Sequence, residues 1–90
     1  MTVEPTTRRI YYGHHRIPGY EISHAAHHDS IGETIAAGIA AAIRQTYEAA
    51  ARGTESLDAT TLNTLVRYAP GTDDLTITTT AHASPRRTRE

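Results

Sequence analysis

Five of the six histidines, His14, His15, His24, His27 and His28, fall within fifteen positions. Imidazole is the commonest metal ligand and changes charge near neutral pH. His24 and His28 stand four apart and Asp29 adjoins them. On a helix, two imidazoles and a carboxylate at this spacing would converge. A helix that starts at Ser30 instead puts them in a strand end and loop, where His24 and His27 can still meet around a turn. The set has no His-Glu-x-x-His spacing and no Cys. His24, His27 and His28 are therefore the candidate metal ligands, while a polar loop of solvated histidines is the simpler expectation, and a bound metal is not favoured.

Other chemistry finds little support. The chain has no Cys, no Gly-x-Ser-x-Gly elbow and no glycine-rich phosphate loop. Ser23 and His24 are neighbours, which on a strand point to opposite faces. Asp73 and Asp74 sit among turn residues and read as a solvated turn. Arg8, Arg9 and Arg16 interleave with Tyr11, Tyr12 and Tyr20, a mixture able to stack bases and grip phosphates. Arg86, Arg87 and Arg89 add charge at the other end. Between Ser30 and Asp74, however, acids outnumber the three arginines, and the formal net charge is −1. Nucleic acid is therefore not the favoured partner. No enzyme activity is expected.

Ninety residues make one small domain, which buries only roughly 60% of the surface of its unfolded chain. Trp, Phe and Lys are absent, and Ala and Thr abound. A core this lean often gains stability by oligomerising. Residues 1–7 and the basic segment 84–90 read as disordered ends around a domain at 8–83. Residues 1–7 lack the basic and apolar regions of a signal peptide, and no apolar run reaches the roughly 18 residues of a membrane span. A cytoplasmic location without membrane contact is expected.

Segment 8–12 is short and β-prone, and 13–19 (GHHRIPG) reads as a turn-rich linker. Segment 20–25 (YEISHA) alternates and predicts a strand. Ser30 and Glu33 have the spacing of a capping box, and Ile31, Ile35, Ile39, Ile43 and Tyr47 form one apolar stripe. A helix over 30–52 follows, closed by Gly53. Small residues at Ala37, Gly38 and Ala41 permit close approach to a sheet. Segment 60–68 fits helix or strand. The turn-rich 69–74 and the alternating 75–82 (LTITTTAH) favour strand–turn–strand. The fold expected is α+β, β-β-α-β-β, with one amphipathic helix on a three- to four-stranded antiparallel sheet.

The order of YEISHAA, SIGETIAAGIAAAIRQTYEAA and LTITTTA resembles that of the dodecins, small flavin-binding proteins. The resemblance covers about two thirds of the chain. It implies a hollow homo-oligomer that stacks flavin without catalysis on a Trp at the start of the strand after the helix. Thr60 or Thr61 falls near that place, and Thr76 near a flavin-contacting Gln of the last strand. With no Trp present, stacking falls to Tyr.

The half-polar sheet face away from the helix thus becomes the expected site, at a subunit junction. Arg67, Tyr68, Thr76 and Thr78 are its candidate cofactor-binding residues, since hydroxyls and a guanidinium suit a planar ligand bearing carbonyl or phosphate oxygens. The function expected is sequestration of a planar cofactor such as flavin by a homo-oligomer. The alternatives are a protein–protein interaction factor with no small ligand, and histidine-based metal binding.

Overall fold

The computed structural model describes residues 8–85. The expectations for residues 1–7 and 86–90 lie outside them. The chain runs β1 (Ile10–Ile17), α1 (Gly19–His27), α2 (Ile31–Arg52), a 3₁₀ turn (Ala59–Thr61), β2 (Asn63–Ala69) and β3 (Asp74–His82). The strands form one antiparallel sheet in the order β1-β3-β2. The class is α+β, as expected, with one long helix on the sheet. The order of elements is β-α-α-β-β.

Two local expectations change. Residues 13–17 continue β1, because Gly13 lets the strand pass directly beneath α2. The segment 20–25, on which the family resemblance places its first strand, lies inside α1. Pro18 supplies the helix entry: its φ is −62°, and its carbonyl accepts from Glu21 and Ile22 N–H at 3.0 and 3.2 Å. A two-residue alternation over six positions fits a helix as well once Ile22 and Ala25, three apart, are the residues turned inward.

Helix α2 forms where the sequence puts it, but its ends differ. Ser30 makes no side-chain cap; its Oγ donates to Ala25 O at 3.3 Å. The Ser30 N–H also bonds Ala25 O, at 2.8 Å, and Asp29 takes φ 58° between the helices. This geometry is a helix C-terminal lock spliced directly onto the next helix. At the other end Gly53 has φ −88° and Thr54 takes the left-handed position, φ 57°.

The buried stripe of α2 is Gly38, Ala42, Thr46 and Ala50, not the isoleucine row. Small residues every fourth position let the helix lie close on β1 and β3. Two apolar clusters fill that contact. Tyr11, Ala50 and Ala83 occupy one end, and Ile17, Ala42 and Ile77 the other. Segment 60–68 resolves into the 3₁₀ turn followed by β2. A four-residue loop joins β2 to β3, closed by Asp73 N–H on Ala69 O at 2.7 Å. Ser84 N–H bonds Ser56 O at 2.8 Å.

Candidate functional site

Strand register assigns every side chain of the sheet to a face. Residues directly opposite in an antiparallel pair share a face. Three cross-strand rows therefore lie away from α2: Tyr12–Thr80–Asn63, His14–Thr78–Leu65 and Arg16–Thr76–Arg67. This face is polar, aromatic at one corner and cationic at the opposite one.

Of the residues singled out by sequence, Arg67, Thr76 and Thr78 come together on this open face. Tyr68 pairs with Leu75, whose row also holds the buried Ile17, so it lies on the helix side. Its hydroxyl bonds Asp73, which raises its pKa. The ring that shares the face with the threonines is Tyr12, which is 60% exposed. Sequence reasoning missed it because the strand was stopped at Gly13. The signal was present: Tyr11, Gly13, His15 and Ile17 alternate with Tyr12, His14 and Arg16.

The two arginines of the face differ. Arg16 Nη1 stands 2.5 Å from Asp74 Oδ2. Asp74 Oδ1 accepts the Gly19 N–H at 2.7 Å, and that bond, with the Arg16 guanidinium, holds the carboxyl below its ordinary pKa. Arg67 has no ion pair among the described residues.

Asp58 is shifted the same way, by the Thr60 hydroxyl and N–H first and Arg8 after. A carboxyl with a depressed folded pKa adds stability above its unfolded pKa and loses it as pH falls through the folded value. Melting temperature should therefore fall on the acid side of the ordinary carboxylate range, and Asp74→Asn should flatten that limb. Tyr11 has the opposite sign: its bond to Glu55 raises the phenol pKa, so its contribution is lost as pH rises through that value. A melting temperature unchanged down to pH 2 contradicts the acid-side assignment.

His24, His27 and His28 gather at the end of α1, while His14 and His15 lie on β1 and His82 on β3. The His24 and His28 rings lie 4.3 Å apart, and His27 meets His28 edge-on at 5.7 Å. Among the described residues no group of three or more His, Asp or Glu is placed to hold a metal ion. A shallow groove of about 340 Å³ between β1 and the helices is lined by His15, Glu21 and Glu33, with Ile17 and Gly38 at its floor.

On the helix side the sheet is only partly covered. Gln45 Oε1 accepts the His14 N–H at 3.0 Å, so this flank of α2 reaches the free edge of β1. At 100° per residue the opposite flank carries Ile39, Ile43 and Tyr47. It overhangs β3 and stops short of β2. Val66 and Tyr68 of β2 remain 41% and 59% exposed there. No helix among the described residues is long and apolar enough to cross a membrane. No family model, curated protein or solved structure matches the chain.

Proposed function

We propose that the protein is a non-enzymatic, self-associating binding module that sequesters a planar cofactor, in the manner of the dodecins it resembles, and works in the cytoplasm. The observation that carries this reading is the open sheet face. Tyr12, the hydroxyls of Thr76, Thr78 and Thr80, and Arg67 stand on adjacent rows of rigid strands. Two rows along and two strands across separate Tyr12 from Arg67 by about 16 Å. A flavin ring stacked on Tyr12 can span that distance with a phosphate-bearing side chain reaching Arg67. A guanidinium suits that phosphate, and hydroxyls suit the ring carbonyls.

Flavin fluorescence tests it. A single Tyr gives less overlap than Trp, so FMN should bind at about 10 μM or weaker. Riboflavin should bind less well than FMN, and Arg67→Ala should erase that difference. Tyr12→Ala should weaken both about tenfold. Tyr68→Ala should leave both unchanged, because Tyr68 lies on the other face. No quenching at about 1 mM FMN, or binding that depends on Tyr68 alone, overturns this reading.

A second reading, an interaction factor with no small ligand, draws support from the uncovered flank at Val66, Tyr68 and Tyr47. Exposed apolar groups gathered at one flank mark contact surfaces more often than scattered ones do. Under that reading Tyr12 and Arg67 have no effect on any titration, while a bound protein follows the chain through purification.

A further inference from the structure

We infer that β2 is a self-pairing edge: two copies join their β2 strands antiparallel across a two-fold axis at Leu65, giving one six-stranded sheet. This rests on the self-association part of the proposed function and names its surface.

The two edges of the sheet are treated differently. On the β1 edge α2 packs along the strand, and Gln45 of α2 takes one outward backbone donor, the His14 N–H. Along β2, among the described residues, no side chain or loop bonds the backbone of residues 64–68 on the side away from β3. Natural edges are blunted by Pro, charged side chains or a bulge. Residues 63–69 contain no Pro, pair with β3 in unbroken register, and carry one charge, Arg67, toward one end of the strand. Leu65 is 52% exposed on one face of this strand and Val66 is exposed on the other. The formal net charge of −1 leaves little repulsion between copies.

Register follows from side-chain chemistry. A two-fold axis perpendicular to a continuous sheet preserves its faces, so it passes midway between one β2 residue and the same residue of the partner subunit. Centred on Val66, the pairing sets Arg67 diagonal to Arg67 of the partner subunit. Centred on Leu65, it sets Leu65 against Leu65 of the partner subunit, and Val66 against Thr64 of the partner subunit. Arg67 then faces Asn63 of the partner subunit, and like charges stay apart. Like charges directly or diagonally opposed are unfavourable, and aliphatic pairs are favourable.

The Leu65 register also completes the ligand face. The row Arg16–Thr76–Arg67 runs on through Asn63 of the partner subunit to the partner's Tyr12. Each Arg67 then stands three strand spacings, about 14 Å, from Tyr12 of the partner subunit, as near as the roughly 16 Å to its own, so the cation sits between two aromatic corners at the subunit junction. A seven-residue edge buries less than the roughly 1,200 Å² of a standard stable interface, so the dimer is weak and concentration-dependent.

Because the chain has no Cys, single-cysteine variants report the register directly. Leu65→Cys, mildly oxidised, should run mostly as a cross-linked dimer on a non-reducing gel. Thr78→Cys should stay monomeric, since it stands about 14 Å from its counterpart and a disulfide reaches only about 7 Å between Cα atoms. Light scattering should show the mass rise about twofold from 9.8 kDa across the micromolar range. Leu65→Arg, with an unchanged circular dichroism spectrum, should hold it at the chain mass. A dimeric mass with no more cross-linking at Leu65→Cys than at Thr78→Cys overturns the β2 interface and leaves self-association standing. A mass that stays at 9.8 kDa into the millimolar range overturns both.

Discussion

Gly13→Val abolishes folding. At this position β1 passes directly under α2, and a Cβ would overlap the Ala42 carbonyl oxygen and Thr46 Oγ1 and stand 2.7 Å from Thr79 Oγ1. The obstacle is backbone and a closed polar knot, not the tip of a flexible side chain. The Thr46 and Thr79 hydroxyls lie 2.5 Å apart, and both are within hydrogen-bond reach of Ala42 O, at 3.0 and 2.9 Å. All three groups are fully buried. Making room means lifting α2 off the sheet, which separates these hydroxyls and opens both apolar clusters. Overpacking alone costs about 1–3 kcal/mol, and each orphaned buried polar group about 1–3 more. A ninety-residue domain holds only about 5–10 kcal/mol in total. Thermal melting followed by circular dichroism should show no cooperative transition for Gly13→Val and a strongly lowered one for Gly13→Ala. A Gly13→Ala variant that melts within a few degrees of the parent means the crossing is looser than described.

That crossing also explains what could and could not be read from the chain. Helix α2 was legible because an apolar residue recurs at every fourth position from Ile31 to Tyr47 and a Gly follows Arg52. Strand β3 was legible because Leu75, Ile77, Thr79 and Ala81 alternate with polar partners, and this pattern survives in the structure, with the latter three buried. The strand identity of β2 followed from the turn after it. Strand β1 was not legible past Tyr12. Gly13 followed by two His and an Arg resembles a loop, and the reason it is a strand lies at Ala42, Thr46 and Thr79, far along the chain. The buried face of α2 was misjudged for a related reason. Hydrophobicity ranks the isoleucines as core, but close contact with a sheet is set by how little the facing residues protrude. Gly38, Ala42, Thr46 and Ala50 win that contact, and the isoleucines become its flank.

The candidate ligand face shows the same division. Once β2 and β3 are strands, Arg67, Thr76 and Thr78 fall together by period two and register. Tyr68 belongs to the opposite parity and could not join them. Tyr12 became available only with the full length of β1. For the histidines, helical spacing does bring His24 and His28 together, but a third ligand would have to come from another element, and none among the described residues supplies it.

Ile77→Ala should lower stability by about 3 kcal/mol, which is roughly 15 °C of melting temperature for a domain of this size. Ile77 sits on the central strand, fully buried between Ile17 and Ala42. Its Cδ1 lies so near Gly38 that a Cβ there would come within 2.7 Å. It and Ile17 are the only large aliphatic side chains fully buried among the described residues. Truncation leaves a void that α2 cannot close, because Gly13 already holds the helix as near the sheet as its backbone allows. Ile39→Ala removes the same atoms from the α2 flank, where solvent already reaches the side chain, and should cost about 1 kcal/mol. The comparison must be made at one protein concentration, since association adds to apparent stability. A larger loss at Ile39 than at Ile77 would mean that the isoleucine row, not the small-residue stripe, faces the sheet.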